Sequence, residues 1–250
     1  MNIGSWSIPG YTLRISCAAL AGLLWVWMMA PRRGYPRAQL LGALWAITGG
    51  ALLVGRGGYA LTNAAYFAQR PLDFFRWRQV GGLAGLAAWL GGLIAAWLWI
   101  HWRGGGEWEE LLRLLAPAVL LVTAGVWWGC AAAGCAWGRE ALSAPAWLQW
   151  AIVEAPDLYQ TSAPRYAVQL AGASGALCGA GLALLLNHYS AAWLALYMGG
   201  AALLTSFQAN PVSLVGQYRL DFLLALALML FFLYLQVRMV KPKSTANGRP

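Results

Sequence analysis

Two cysteines lie five residues apart in the stretch WWGCAAAGCAWGRE, which covers residues 127 to 140. Cys130 and Cys135 could form a disulfide, bind a metal or act as a redox pair. On one continuous helix with about 3.6 residues per turn, positions five apart lie about 140° apart around the axis. This spacing disfavours a disulfide. The sequence instead favours cysteine as a small packing residue where helices approach closely.

Metal ligands are scarce in this chain. It has no CxxC motif, and its two histidines, His101 and His188, both fall at predicted helix ends. Because zinc takes four protein ligands in a structural site and three in a catalytic one, the sequence predicts no metal site, and it indicates no cofactor.

One arginine, Arg56, lies inside a long apolar run, in LLVGRGGYAL. An arginine at the centre of a membrane helix costs roughly 2.5–3.5 kcal/mol on insertion scales, so it requires a partner or a route to the interface. Guanidinium groups bind phosphate in a bidentate geometry, which favours an anionic lipid. A carboxylate among Asp73, Glu140 and Asp221, or snorkelling to the interface, stays open as the alternative.

The elements that must position these residues are membrane-spanning helices. Hydrophobic residues make up 60% of the 250 residues and charged residues 10%, whereas soluble domains are roughly 45–50% apolar. About 20 apolar residues cross about 30 Å of hydrocarbon as a helix. The sequence therefore predicts an all-α polytopic membrane protein with about seven spans, near residues 12–30, 38–62, 80–102, 114–138, 166–187, 189–207 and 214–237.

Between the spans, two connections stand out. Residues 64–79 are aromatic and basic and contain Pro71, which is typical of an interfacial or re-entrant segment. Residues 139–165 form the longest predicted loop. We expect a single transmembrane domain over residues 1–238 and a disordered cytoplasmic tail over 239–250, which is rich in polar residues.

Lysine and arginine in the connections predict the orientation. Of the 17 lysines and arginines, nine lie on the side of the C-terminus and six on the opposite side. The other two, Arg14 and Arg56, lie inside predicted spans. Cytoplasmic connections carry the excess of these residues, so we expect an external N-terminus and a cytoplasmic C-terminus. The net charge of +9 is consistent with attraction to anionic lipid, and no basic stripe indicates a nucleic-acid partner.

Four segments in order resemble the prolipoprotein diacylglyceryl transferase family. They are GRGGYALTNAAYFAQRPLDFFRWRQVGGLAGLAAWLGGL at 55–93, VWWGCAAAGCAWGR at 126–139, APRYAVQL at 163–170 and SFQANPVSLVGQYRLDFLLAL at 206–226. The resemblance rests on residues that occupy family motif positions: Arg56, Gly58, Tyr59, Tyr66, Pro71, Leu72, Phe75, Gly81, Gly82, Leu83, Gly129, Cys130, Gly134, Gly138, Arg139, Pro164, Arg165, Gln169, Leu170, Phe207, Pro211, Gly216 and Gln217.

The resemblance implies a multi-pass protein of the bacterial inner membrane that holds phosphatidylglycerol in a central cavity. The family enzyme transfers the diacylglyceryl group to the thiol of a lipobox cysteine on a preprolipoprotein. By this resemblance Arg56, Arg139 and Arg165 would hold an anionic phospholipid head group by charge-assisted hydrogen bonds, with Tyr59 and Gln169 in support.

The same comparison of motifs shows substitutions at the family's reactive positions. Leu86 stands where the family has its essential histidine, Trp127 where it has the signature arginine, and Cys135 where it has an acidic residue or a common cysteine substitute. Other family positions hold Ser16 in place of tyrosine, Tyr166 in place of histidine, Ala202 in place of arginine and Ser206 in place of glutamate.

Three interpretations follow. The favoured one is a divergent homologue with a degraded active site and no assigned catalytic residue: a phospholipid-binding or structural membrane protein, with a membrane complex as a possible setting. The others are an active transferase and an unrelated polytopic protein such as a transporter. An active enzyme predicts that Arg56, Arg139 and Arg165 converge on one cavity; a structural protein predicts a cavity filled by Trp127, Trp128 and their neighbours.

Overall fold

The computed structural model describes residues 2–3, 6–7, 10–77, 80–103, 108–156, 159, 161–210 and 212–240. The predicted all-α polytopic architecture is confirmed. The helices are α1 (Gly10–Arg32), α2 (Arg37–Thr62), α3 (Ala64–Gln69), α4 (Gly85–Arg103), α5 (Trp108–Ala133), α6 (Val168–Leu185), α7 (Ser190–Thr205) and α8 (Leu220–Val240). Of the predicted tail, 239 and 240 end α8, and 241–250 lie outside the described residues.

Short strands and 3₁₀ helices build the connections. Three antiparallel hairpins pair β1 (Asn2–Ile3) with β2 (Trp6–Ser7), β3 (Ile152–Pro156) with β4 (Ser162–Tyr166), and β5 (Leu214–Val215) with β6 (Tyr218–Arg219). The 3₁₀ helices cover Pro71–Phe74, Ala146–Ala151 and Asn187–Tyr189. The first of these, together with α3, forms the segment predicted at 64–79.

Six described helices are long and apolar enough to cross a membrane: α1, α2, α4, α5, α6 and α8. The predicted span at 189–207 corresponds to α7, which has only 16 residues and is not among these six. The last span begins later than predicted, at Leu220, because 214–219 forms the β5–β6 hairpin with Gly216 at φ 63° in its turn. Gln217, expected at the start of that span, therefore lies in the exposed turn.

Helices α2 and α4 pack closely through glycines. Gly42 lies against Trp99 and Gly58 against Ala87, so the two helices run antiparallel. Where they cross, a Cβ added to Gly50 would lie 2.6 Å from the carbonyl oxygen of Gly91. Small residues allow this backbone approach, which supplies the van der Waals packing that associates helices in lipid.

The remaining helices pack around α5. Helix α1 lies antiparallel to it, with Gly22 against Ala118 and Gly129 against Tyr11. On its other side α5 shares a buried cluster with α6, α7 and α8, which includes Leu120, Met198 and Phe232.

The α5–α6 and α7–α8 connections are joined at one end of the bundle. The backbone N–H of Arg139 donates to Phe207 O at 2.8 Å, and that of Ala209 donates to Trp137 O at 3.0 Å. Gly138 and Gln208 form a bridge between them. Four helix ends are thereby held together at this face.

Candidate functional site

Three arginines meet at this joined end of the bundle. Arg139 Nε donates to Gln208 O at 3.3 Å, and Arg219 Nη1 donates to the same oxygen at 3.1 Å. Arg165 Nη1 donates to Gly138 O, the bridge partner of Gln208, at 3.4 Å. We call Arg139, Arg165 and Arg219 the arginine cluster.

Two carboxylates accompany the arginine cluster. Arg165 pairs with Glu140 at 3.2 Å and Arg219 pairs with Asp221 at 2.9 Å. These five side chains carry one more positive than negative charge. Arg165 is buried, with 4% of its surface exposed, whereas Arg139 is exposed. An anion approaching this face would meet Arg139 first.

Gln169 connects the arginine cluster to the helices below. Its Nε2 donates to Cys135 O at 3.1 Å, and the residue is buried. This bond joins the start of α6 to the segment that follows α5. The structure thus brings together three of the five predicted site residues, Arg139, Arg165 and Gln169. Sequence analysis missed Arg219, which it treated only as a loop charge.

Arg56 occupies a different site, made by α2 and the connection that leads to α4. The residue is fully buried. Nε donates to Phe74 O at 3.0 Å, Nη2 to Asp73 O at 2.7 Å, and Nη1 to Gly81 O and Gly82 O at 3.1 and 3.0 Å. The side chain is therefore not paired with a carboxylate in the described structure, which corrects that expectation. Its partners here are main-chain carbonyls.

Aromatic rings surround the Arg56 guanidinium. Its central carbon lies 5.3 to 5.9 Å from the ring centroids of Tyr59, Phe67, Phe74 and Trp77. Cation–π attraction of this kind strengthens when water is excluded. Tyr59 also closes over Gly82, whose φ of 115° and proximity to that ring leave no space for a side chain. Head-group binding by Arg56 and Tyr59 stays a prediction.

The carboxylate of Asp73, one of the expected partners of Arg56, binds other side chains. It accepts from Tyr66 OH at 2.6 Å and pairs with Arg76 at 3.1 Å. The hydrogen bond to Asp73 raises the pKa of the Tyr66 phenol above its usual value, and burial adds to the rise, while Arg70 opposes it. Asp73 thus fixes α3 to the following 3₁₀ helix.

Cys130 and Cys135 form a disulfide, which corrects the expectation from helix geometry. Helix α5 ends at Ala133, so the two cysteines are not on one continuous helix. Gly134 at φ 66° turns the chain, and Cys135 N donates to Cys130 O at 3.1 Å. The Cα atoms consequently lie 4.7 Å apart, within the range that a disulfide spans. In the described part of the chain no three His, Cys, Asp or Glu residues are grouped to hold a metal.

Trp127 lies in a group of aromatic side chains between α4, α5, α7 and α8, and Leu86 packs against the adjoining core. Trp127 Nε1 donates to Tyr197 OH at 2.8 Å, and Tyr197 stacks on Trp89 with centroids 6.3 Å apart. Trp89 contacts Phe232 edge to face at 6.2 Å, and Leu86 packs against the same core. We call Trp89, Trp127, Tyr197 and Phe232 the aromatic cluster.

Trp127 and Trp128 have separate surroundings. The Trp127 ring lies so close to Gly172 that an added Cβ would approach it to 2.5 Å. Trp128, by contrast, is 57% exposed, and Arg14 lies 5.1 Å above its ring and donates to its carbonyl oxygen at 2.7 Å. Only the first of the two tryptophans therefore fills the space between helices.

The fold and these sites define a polytopic α-helical membrane protein with a cationic cluster at one membrane face. The model of the family described as prolipoprotein diacylglyceryl transferase matches residues 1–238. The chain belongs to this family, as the resemblance indicated, which places it in the bacterial inner membrane.

Curated relatives agree with the family match. A phosphatidylglycerol–prolipoprotein diacylglyceryl transferase of Gloeobacter violaceus is 32% identical over 152 residues, covering 60% of this chain and 54% of the relative. One of Bacillus cereus is 29% identical over 129 residues, covering 52% of this chain and 47% of the relative. The matched part thus spans about half the length of these relatives.

Proposed function

We propose that this chain is a phospholipid-binding member of the diacylglyceryl transferase family in which the transfer site has been replaced by packing. The observation that carries the proposal is the aromatic cluster. Leu86 and Trp127 stand where the family resemblance places a histidine and an arginine. Leu86 packs against the buried core that includes Phe232, and Trp127 bonds Tyr197, which packs against the same core.

The proposal has a chemical basis. Transfer to a thiol requires a group that accepts the thiol proton, and the departing glycerol phosphate requires donors or cations that stabilise its charge. The side chain of Leu86 can do neither. The single indole N–H of Trp127 is already donated to Tyr197. Loss of an active site on a retained fold is a familiar route of divergence.

The ligand that we propose is an anionic phospholipid such as phosphatidylglycerol, bound with its head group at the arginine cluster. Arg139 is exposed and would contact the phosphate. Arg165 and Arg219 are neutralised by Glu140 and Asp221 and would hold the connections in place around it. Gln169 would act by holding α6 against the α5 end. Arg56 and Tyr59 would act by ordering residues 73–77 and 80–82, since the Arg56 N–H groups bond carbonyls in both stretches.

An active transferase is the second candidate, with a preprolipoprotein as the acceptor substrate. The family match over residues 1–238 and the names of both relatives favour it. Under this candidate a base and a phosphate clamp would come from residues other than Leu86 and Trp127. A scaffold role within a membrane complex is compatible with the first proposal alone.

One experiment separates the two. The protein is purified into nanodiscs of phosphatidylglycerol and supplied with a lipobox peptide, with the Gloeobacter violaceus relative as the positive control. We expect no diacylglyceryl transfer by this chain and retention of anionic phospholipid in native mass spectrometry. Transfer at a rate near that of the relative would overturn the proposal in favour of the active enzyme.

A charge-matched variant pair tests the lipid site. Arg139→Gln should reduce the retained anionic phospholipid several-fold, because it removes the exposed cation of the arginine cluster. Arg238→Gln removes one charge from the other end of the bundle, where the side chain bonds Tyr234 OH at 2.8 Å. Equal retention by both variants would rule out the arginine cluster as the binding site.

A further inference from the structure

The α5–α6 connection carries an exposed apolar surface that the proposed lipid site does not use. Residues 141–153, ALSAPAWLQWAIV, contain no charged residue. Within them Leu142 is 81% exposed, Trp147 72% and Trp150 82%. We call these three side chains the tryptophan face. A loop surrounded by water would leave three large apolar groups unburied.

The 3₁₀ helix Ala146–Ala151 explains why the two tryptophans project together. A 3₁₀ helix has three residues per turn, so side chains at i and i+3 eclipse. Trp147 and Trp150 therefore share one side. Leu148 and Ala151 share another, and both are partly buried against the protein. Gln149 lies on the third side and is exposed. The helix has an inner apolar side, an outer apolar side and a polar side.

Hydrogen bonds set the level of this segment along the bundle. Ala167 N donates to Ala151 O at 2.7 Å, and Ala141 N donates to Pro164 O at 2.8 Å. Ala167 is the N-cap of α6, a helix that is long and apolar enough to span a membrane. The 3₁₀ helix thus ends at the level where α6 begins.

Helix α6, which begins at the level of the tryptophan face, also carries exposed apolar side chains. On α6, Leu170 is 49% exposed and Leu177 54% exposed. In a membrane-spanning helix such side chains contact acyl chains. Tryptophan is enriched at the membrane–water interface, where its apolar ring and its N–H group are both accommodated.

We propose that the tryptophan face inserts into the boundary between head groups and acyl chains of the leaflet at which α6 begins. This segment is an amphipathic anchor that lies in the interface plane. Its partner is the bilayer itself. The anchor holds the α5–α6 connection, and with it Arg139, at the head-group level. The inference does not depend on whether the protein transfers diacylglyceryl groups.

Spin-label accessibility tests the anchor. The free cysteines Cys17 and Cys178 are replaced by serine, and single labels are placed by Trp147→Cys, Trp150→Cys and, as the control on the polar side, Gln149→Cys. The quantity measured is the ratio of the label's collision rate with oxygen to its collision rate with a water-soluble nickel chelate. In nanodiscs we expect this ratio to be several-fold higher for the labels at 147 and 150 than for the control at 149.

Other outcomes would overturn the anchor. Equal, high chelate collision at all three positions would mean that the tryptophan face lies in water. Low collision with both reagents would mean that protein covers it. Because the engineered cysteines could disturb folding, a second measurement uses intrinsic fluorescence. The Trp147→Phe/Trp150→Phe variant should remove a component that brominated lipid quenches in the parent; unchanged quenching would contradict insertion.

Discussion

Arg56 shows how a single cation is accommodated inside an apolar run. Its guanidinium donates four hydrogen bonds to main-chain carbonyls of residues 73–82. They belong to the connection between α3 and α4, in which Asp73 O also accepts from Arg76 N at 3.2 Å. One side chain therefore compensates both its own burial and the burial of several backbone acceptors. The planar fork of arginine suits this task better than the single ammonium group of lysine.

Arg56→Lys should accordingly destabilise the protein although it keeps the charge. Lysine has one nitrogen in place of the three that bond carbonyls here, so it cannot reproduce all four hydrogen bonds of the guanidinium. Each lost charge-assisted hydrogen bond is worth about 1.5–3 kcal/mol, so we expect the free energy of unfolding to fall by about 3 kcal/mol. Unfolding in mixed detergent micelles measures the change. Arg238→Lys, at an exposed position with one side-chain hydrogen bond, is the control and should change stability by less than about 0.5 kcal/mol.

The cysteine pair gives a second prediction at this scale. Under denaturing conditions without reductant, only Cys17 and Cys178 should react with maleimide, and all four cysteines should react after reduction. Cys130→Ser should leave Cys135 reactive and lower the free energy of unfolding by about 2 kcal/mol, because the disulfide closes a short loop and removes unfolded-state entropy. Four reactive thiols in the unreduced parent would show that the disulfide is absent.

Tyr66 supplies a prediction about pH. A phenol whose pKa is higher in the folded than in the unfolded protein stabilises the fold below the unfolded pKa of about 10. That contribution is lost as the pH rises through the folded value. We expect Tyr66→Phe to remove a tyrosinate absorbance step that occurs above pH 10 in the parent. Asp73→Asn should move that step toward the ordinary value, since it removes the carboxylate acceptor; an unmoved step would exclude the hydrogen bond as the cause.

The sequence could identify Arg56 as a residue that needs a partner, but not the partner itself. Desolvation of a charge can be predicted from the apolar run around it. The carbonyl acceptors belong to Asp73, Phe74, Gly81 and Gly82, and the residue types there do not reveal which backbone oxygens face the guanidinium. The disulfide was mispredicted for a related reason, because a turn at Gly134 ends the helix where hydrophobicity continues. Arg219 was missed because the short β5–β6 hairpin brings it to Gln208, and the hydrophobic pattern of the sequence does not predict that hairpin.

At the scale of elements, the contact between α2 and α4 depends on which glycines face the partner helix. A Cβ at Gly91 would lie 2.5 Å from Val54 Cβ, whereas one at Gly49 would have nothing within 4 Å. All seven predicted spans overlap described helices, because continuous apolar runs determine them. Their ends differ from the prediction by several residues at α4, α5 and α8, since apolar residues also continue into turns and hairpins.

Gly91→Ala and Gly49→Ala form a matched pair that tests this contact. Overpacking typically costs about 1–3 kcal/mol, so we expect Gly91→Ala to lower the free energy of unfolding by that amount. Gly49→Ala should be neutral or stabilising by about 0.5–1 kcal/mol, because alanine is the better helix former. Thermal unfolding in detergent measures both. Similar behaviour of the two variants would mean that α2 and α4 do not meet at Gly91.

At the scale of the whole molecule, the number of membrane crossings is decided by α7. Its 16 residues extend about 24 Å at 1.5 Å per residue, less than the hydrocarbon thickness of about 30 Å. It nevertheless packs antiparallel to α8. Near the end of α8, Gln236 accepts from Ala192 N in the first turn of α7 at 3.1 Å and donates to His188 O in the preceding 3₁₀ helix at 3.3 Å. Further along, Gly199 faces Met229. Helix α7 therefore lies at the same depth as a helix that spans.

Seven crossings, which the sequence predicts, would put α1 and α8 with their outer ends on opposite sides of the membrane. The excess of lysine and arginine predicts that the C-terminal end is cytoplasmic. A green fluorescent protein fused after α8 should therefore fluoresce, while an alkaline phosphatase fused there should be inactive. In a background without Cys17 and Cys178, an impermeant maleimide should label Ser143→Cys in intact spheroplasts and Arg32→Cys only after lysis. Labelling of both positions before lysis, or active phosphatase after α8, would mean that the helices insert with a different number of crossings or in the reverse orientation.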